Sequence, residues 1–157
     1  MINKKNRERQ SNESGATLIE LLAVVVILGI IASVAVLVIG DVIQQARKQA
    51  FVSNAYIMRN ASTVYYKNKE FNKEPVDNPV TYQMLVEEGF LDVIIDPDTG
   101  EKWEMDHTDS YVVFKEGKAV SICLLGNKRK LCGEKKGESY EPLPLDQISE
   151  DNVKDLD

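Results

Sequence analysis

The chain of 157 residues carries a formal net charge of −6 at pH 7. It therefore lacks the excess of Lys and Arg that attracts proteins to phosphate backbones, and direct nucleic acid binding is not favoured. Neither a glycine-rich phosphate loop nor a recognisable Ser-His-Asp arrangement occurs in the sequence, so we expect no enzymatic activity and no cofactor. The only histidine, His107, lies in a polar run and is expected to be a solvated loop residue.

A basic start followed by a long apolar run distinguishes the first forty residues. Four Lys and Arg residues lie within the first nine positions, and every residue from Leu21 to Ile39 is apolar except Gly29 and Ser33. As a helix rising about 1.5 Å per residue, the run covers roughly 28 Å, close to the thickness of a bilayer's hydrocarbon core. Because positive charge precedes it, we predict a single-pass protein of the inner or cytoplasmic membrane, with a cytoplasmic N-terminus and an extracytoplasmic body.

A secretory signal peptide is the alternative interpretation of this start. Signal-peptide cores extend over about 7–15 residues, whereas this run is longer and continues into a sequence with helical character. The small residues of Ala32-Ser33-Val34-Ala35 nevertheless resemble a cleavage site, so this alternative stays open.

One acidic residue interrupts the beginning of the apolar segment. Glu20 lies between Leu18-Ile19 and Leu21-Leu22, where a charged side chain costs about 2.5–3.5 kcal/mol if it is carried to the membrane centre. It either marks the membrane boundary, with its carboxylate among the headgroups, or it waits for a cationic partner from another molecule. The second interpretation gives Glu20 a role in subunit assembly.

The string Gly15-Ala16-Thr17-Leu18-Ile19-Glu20, between a basic leader and the apolar run, resembles the prepilin cleavage motif of type IV pilins and pseudopilins. The resemblance implies that residues 1–15 are a leader peptide, that prepilin peptidase cuts after Gly15 and methylates Ala16, and that Glu20 serves assembly. Two departures are Ala16 itself, where the family most often has phenylalanine, and the lack of a proline near Leu37. The implied partners are other copies of the chain, other pilins, prepilin peptidase, the pilus assembly platform protein and, before assembly, the membrane.

Cleavage at this motif has an electrostatic consequence. It would leave an ammonium group on Ala16 at the end of an apolar helix, where Glu20 of a neighbouring subunit can neutralise it. Each charge is unfavourable alone at low dielectric constant, and the two become tolerable as a pair. We therefore expect the pair to fix the axial register between subunits.

The helical pattern continues beyond Gly40 to about Lys69. Its apolar stripe, which we expect the head to cover, consists of Val42, Ile43, Ala46, Ala50, Ile57, Ala61 and Val64. Residues 16–40 are the predicted transmembrane and polymerisation half of the stem helix, and residues 41–133 the amphipathic half plus the globular head. The resemblance implies an α+β fold of the pilin-like lollipop type, with the long N-terminal helix packed on a small antiparallel β-sheet head.

Turn signals and a short helix follow the stem. The segment from Thr81 to Leu91 predicts a second helix with Thr81 as its N-cap. The loop Asp96-Pro97-Asp98-Thr99-Gly100 has the composition of a turn. Its aspartates resemble calcium ligands and the Asp-Pro-x-Gly loops of some pseudopilins, but an EF-hand requires a longer pattern that ends in glutamate. Calcium binding in the 96–100 loop is left open, and no metal site is assigned.

Two β-rich runs, residues 111–114 and 119–124, predict a hairpin, and residues 102–105 are a candidate third strand. Cys123 and Cys132 are the only cysteines, and their spacing fits no common zinc signature. In an oxidising extracytoplasmic compartment we expect them to form a disulfide, with a pair of unrelated thiols as the alternative.

The C-terminal segment, residues 134–157, is rich in acidic residues and contains Pro142 and Pro144. This composition predicts an exposed, flexible tail without a packed fold. A docking strip for another subunit is the alternative.

Two functions fit these features. The favoured one is a structural subunit of a type IV pilus or pilus-like filament, serving adhesion, motility, DNA uptake or secretion, which is a membrane protein as a precursor and extracytoplasmic after assembly. The alternative is a monomeric, membrane-anchored extracellular binding or sensor module, in which Glu20 has no role. The motif is common to major pilins, minor pilins and pseudopilins.

Overall fold

The fold is α+β, with one long helix and a small antiparallel sheet, as the sequence predicted. The computed structural model describes residues 5–104 and 109–156, and within them the side chains of residues 17–36, 39–104 and 109–156. The chain divides into two units, Met1–Ile43 and Gln44–Asp157. Helix α1, Lys5–Phe71, contributes residues to both.

The first unit contains the apolar run on α1. The helix continues without a break through Gly29, Ser33 and Leu37. Ser33 donates its hydroxyl hydrogen to the carbonyl oxygen of Ile30 at 2.7 Å, so the one hydroxyl of the run is satisfied within the helix, as a bilayer requires. The most apolar 18-residue window has a mean hydropathy of 3.3, and no part of it is buried. By length and composition this helix can cross a membrane.

The second unit begins with the C-terminal part of α1, one face of which is buried. Phe51, Ala55, Met58, Ser62 and Tyr65 are fully buried and follow one another at intervals of three or four residues. This spacing places them on one side of the helix, where the four apolar residues belong to the main hydrophobic core. The Ser62 hydroxyl donates to the carbonyl oxygen of Met58 at 2.8 Å, so its burial leaves no unpaired donor.

The buried stripe is not the one that the sequence predicted. Ile57 and Val64, which belong to the predicted stripe, are 48% and 58% exposed. The neighbouring face carries the larger side chains Phe51, Met58 and Tyr65, whose burial removes more apolar surface from water. Side-chain size on the competing face therefore decided which stripe the head covers.

A short strand and a short helix follow the stem. Strand β1, Val80–Thr81, leads directly into helix α2, Tyr82–Glu87. The Thr81 hydroxyl oxygen accepts a hydrogen bond from the amide of Met84 at 3.3 Å, which makes Thr81 the N-cap, as predicted. The helix is shorter than predicted because the chain turns at Gly89, whose φ of 75° lies in the left-handed region.

The predicted hairpin forms the centre of the sheet. Strands β2, Tyr111–Lys115, and β3, Lys118–Leu125, pair antiparallel, with Val112 opposite Ile122. Glu116 and Gly117 connect them with φ values of 51° and 76°. Positive φ at both positions of a two-residue loop matches the twist of the flanking strands.

The remaining strands are short: β4, Arg129–Leu131; β5, Lys135–Lys136; β6, Ser139–Tyr140; β7, Leu143–Pro144; and β8, Lys154–Asp155. They complete a six-stranded sheet in the order β1-β2-β3-β4-β8, with β7 paired to β3. Strands β5 and β6 form a separate two-stranded ribbon. Two short 3-10 turns, Leu145–Gln147 and Glu150–Asn152, lie between β7 and β8.

The prediction of an unpacked tail over residues 134–157 is wrong for the described part of that segment. Leu143, Ile148 and Val153 are at most 8% exposed and belong to the main core, while β7 and β8 pair with β3 and β4. These three apolar residues are spaced five apart, which matches neither the helical nor the strand period. Because the segment is acidic on average, its composition did not reveal these three buried apolar residues.

Residues 102–104 do not form the predicted third strand. Lys102 makes only an isolated bridge with Ile95, and Met105 lies outside the described residues. Trp103 is 2% exposed and packs in the core, with its ring centroid 6.3 Å from that of Phe51 and 5.6 Å from that of Tyr82. The segment is held by the Trp103 side chain and by two backbone hydrogen bonds, from the Trp103 amide to the Ile94 carbonyl oxygen at 2.9 Å and from the Asp96 amide to the Glu101 carbonyl oxygen at 2.8 Å.

Candidate functional site

Glu20 lies on α1 as an exposed acid among exposed apolar side chains. Leu18, Ile19, Leu21 and Leu22 beside it are between 63% and 72% exposed. Within the described part of the chain, Glu20 has no ion-pair partner. An ionised carboxylate is stable here in water and unfavourable in a bilayer, so this position favours a partner cation once the helix is surrounded by lipid.

Gly15 and Ala16 precede Glu20 on the same helix. Positions 16 and 20 are four residues apart, so their backbones lie about 6 Å apart along the axis, roughly one turn. The first unit therefore places the predicted cleavage position one turn before the acid and directly ahead of the apolar run.

The 96–100 loop is organised around one buried carboxylate. Asp96 is 1% exposed. Its Oδ1 accepts hydrogen bonds from the amides of Asp98 at 2.8 Å and Thr99 at 3.1 Å. Its Oδ2 accepts from the indole Nε1 of Trp103 at 3.0 Å and from the amide of Asn127 at 2.8 Å. Burial raises the pKa of Asp96, but the four N–H donors outweigh this effect and hold the pKa below its usual value.

A second ionic contact extends from the same loop. Arg129 is 5% exposed, and its Nε lies 2.8 Å from Oδ2 of Asp98. The Arg129 Nη2 donates to Oε1 of Gln44, and Nη1 of Arg47 lies 3.8 Å from Oδ1 of Asp98. The loop is thus connected to both β4 and α1, and removing either buried partner would leave an uncompensated charge.

These contacts define what the loop can bind. Both oxygens of Asp96 face N–H donors, and Asp98 faces two guanidinium groups, whereas Ca²⁺ requires free oxygen ligands. No group of three or more His, Cys, Asp or Glu residues suited to a metal ion occurs in the part of the chain that the structure describes. His107 lies outside that part. The loop's described contacts fit a structural turn.

The disulfide that the sequence predicted joins Cys123 of β3 to Cys132, which follows β4 directly. Both cysteines are at most 4% exposed and form a small second cluster with Leu125. Tyr111 and Tyr140 pack against this cluster, and the Tyr111 hydroxyl donates to the carbonyl oxygen of Tyr140 at 2.8 Å. The bond therefore links β3 to the residue that follows β4, within the second cluster rather than in the main core.

An open groove beside α1 was not predicted from the sequence. It has a volume of about 610 Å³ and lies between residues 54–64 of α1 and residues 90–94. Most of its lining is apolar and includes Ile57, Val64, Phe90 and Val93. The only sequence signal for the groove was the seven-residue spacing of Ile57 and Val64, which places them on a different face of α1 from the large buried side chains.

Comparison with known proteins concerns the N-terminal region. Residues 10–36 match the prokaryotic N-terminal methylation motif, and this range contains Gly15, Ala16 and Glu20. Comparisons of the chain with curated proteins and with solved structures gave no match. The matched motif is the signature of type IV prepilins and pseudopilins, and this chain carries it at residues 10–36.

Proposed function

We propose that the chain is a structural subunit of a type IV pilus or pilus-like filament. In this proposal, prepilin peptidase removes residues 1–15 by cutting after Gly15 and methylates the new amino terminus at Ala16. The precursor is anchored in the inner or cytoplasmic membrane, and the assembly platform protein transfers it into an extracytoplasmic filament with other copies and other pilins.

The observation that carries the proposal is the methylation motif at residues 10–36, which encloses an acid at the edge of an apolar helix. Glu20 has no partner in its own described unit, yet a bilayer disfavours an unpaired carboxylate. The new ammonium group at Ala16 of an adjacent subunit supplies the missing charge. Because each charge is unfavourable alone, their pairing favours assembly over the dispersed state.

Two measurements test the proposal. Mass spectrometry of the protein from sheared surface filaments should give a chain that begins with methylated Ala16. The Glu20→Gln substitution should reduce the fraction of the protein found in filaments at least about tenfold. It leaves the Ala16 ammonium group of the adjacent subunit without its partner, and such a buried unpaired charge costs roughly 3–5 kcal/mol. The membrane fraction should keep the variant at wild-type abundance, since insertion of the helix does not need the acid.

The matched control is Asp41→Asn, which removes a carboxylate from the same helix outside the apolar run. It should leave the filament fraction unchanged. A protein that still begins at Met1, or a Glu20→Gln variant that assembles at the wild-type level, would contradict the proposal and favour a monomeric membrane-anchored binding module.

A further inference from the structure

The last residue of α1 is an exposed aromatic side chain. Phe71 is 87% exposed, which is the largest exposure of any large apolar residue described in the second unit. Single exposed apolar residues are common. Burying this ring would nevertheless remove a large apolar surface from water, and a site of matching chemistry lies elsewhere on the same unit.

That site is the open groove between residues 54–64 of α1 and residues 90–94. Ile57 and Val64 are 48% and 58% exposed on its helix side, and Phe90 and Val93 lie on the other side. Its volume of about 610 Å³ exceeds that of one aromatic side chain. The groove can therefore accept a ring that approaches along the exposed face of the helix.

The chain cannot fill this groove with its own Phe71. Ile57, Val64 and Phe71 are spaced seven residues apart on one helix, so Phe71 lies about 10 Å beyond Val64 along the axis. A residue of the same straight helical segment cannot fold back onto its neighbour two turns earlier. Any Phe71 ring in the groove must come from another molecule.

The charges around the two features are complementary. The exposed charges near Phe71 are Lys67, Lys73, Glu70 and Glu74, and Glu74 is already paired with Lys69 at 2.9 Å. Asp92 is exposed in the lining of the groove. Among the described residues, neither Lys67 nor Lys73 forms an ion pair, and neither does Asp92. Opposite charges that flank an apolar contact select its orientation more than they add to its affinity.

We propose that Phe71 of one copy inserts into the 54–64/90–94 groove of a second copy, with Lys67 and Lys73 facing Asp92. The inserting ring and the receiving groove are different surfaces of the same chain, so the contact is heterologous. Each copy can then insert its Phe71 into one neighbour and accept the Phe71 of another. Contacts of this type generate open helical assemblies when the rotation between copies does not close a ring. This inference rests on the proposed function and adds a head-to-head contact to it.

The direct test is photo-crosslinking in assembled filaments. The full-length chain carries benzoylphenylalanine in place of Phe71, and filaments are irradiated, sheared and analysed by mass spectrometry. We expect a covalent dimer whose second copy is modified within residues 54–64 or 90–94. The matched control places the probe at Val120, which is apolar and 39% exposed but outside the groove lining, and this probe should not label those residues.

A charge exchange provides an independent test. Asp92→Lys should lower the yield of the Phe71-position crosslink roughly fivefold, because it replaces an attraction with a repulsion at the rim. Adding Lys67→Glu and Lys73→Glu to the same chain should restore the yield. All three side chains are exposed, so the substitutions act on the contact rather than on the fold.

The outcomes separate the two proposals. Suppose that filaments contain the protein, but that position 71 crosslinks to another Phe71, to a different pilin or to another surface. This result overturns the contact and leaves the filament function intact. Unchanged crosslinking in Asp92→Lys overturns the assigned charge pairing. A chain that never enters filaments overturns both the contact and the proposed function.

Discussion

Replacing Asp96 with asparagine tests whether the buried carboxylate organises the head. The substitution keeps the size of the side chain but exchanges one acceptor oxygen for an NH2 donor. Asp96 accepts two N–H donors on each oxygen. Whichever way the amide is oriented, one pair of these donors would face another donor.

The expected loss of stability follows from this count. Two hydrogen bonds to a charged acceptor disappear and two buried N–H groups lose their acceptor, so we expect the free energy of unfolding to fall by about 3 kcal/mol. For a unit of this size the midpoint of thermal unfolding should fall by roughly 12 °C, taking about 4 °C per kcal/mol. Trp103 is the only tryptophan and donates to Asp96, so its fluorescence reports the transition.

The control is Asp92→Asn, which neutralises an exposed aspartate four residues away. It should change the free energy of unfolding by less than about 0.5 kcal/mol. If Asp96→Asn unfolds at the same temperature as this control, the carboxylate does not organise the loop and the reasoning fails.

The pH dependence gives a second check on the same group. The pKa of Asp96 is lowered in the folded chain, so its contribution to stability is present above the unfolded value of about 3.9 and is lost as the pH falls through the folded pKa. The difference between the wild type and Asp96→Asn should therefore be largest near neutral pH and should shrink below about pH 4. A difference that stays constant from pH 7 to pH 3 would show that ionisation of Asp96 is irrelevant.

Three further predictions concern the same unit. Gly126→Ala should cost about 1–3 kcal/mol by overpacking, because its Cβ would lie 2.7 Å from a ring carbon of Phe51. Its control, Gly40→Ala, lies in the first unit with nothing within 4 Å of the added Cβ and should leave the unfolding midpoint of the second unit unchanged. Equal unfolding midpoints for the two variants would refute this. Reduction of the Cys123–Cys132 bond should lower the free energy of unfolding by about 2–3 kcal/mol, as expected for a short closed loop. Thermal unfolding with and without dithiothreitol measures this loss, and an unchanged unfolding midpoint would contradict the prediction. Adding millimolar Ca²⁺ should leave the unfolding midpoint within about 1 °C, and a clear rise would show that the 96–100 loop binds the ion.

The features that sequence predicted correctly depend on neighbouring residues. Thr81 caps α2 through a bond to an amide three residues ahead, and the β2–β3 hairpin is set by β-rich runs around a two-residue turn. The methylation motif at residues 10–36 is likewise a local string. Each of these signals can be recognised without knowing what packs against it.

The role of Asp96 could not be predicted in this way. The sequence left calcium binding by the aspartates of this loop open. In the structure, Trp103 and Asn127 bring two donors to Oδ2 from positions seven and thirty-one residues away. Whether a carboxylate binds a cation or N–H groups depends on which partners the fold places around it.

The sequence by itself determined that this chain has a basic N-terminal segment, a helix able to cross a membrane, and an acid at its edge within a methylation motif, because charge, length and local order are properties of the linear chain. Tertiary structure decided which face of α1 is buried, whether residues 134–157 pack, and where a groove stays open. Those outcomes depend on competition between side chains distant in sequence for the same core volume. In that competition Phe51 and Tyr65 were buried, and Ile57, Val64 and Phe71 were left exposed.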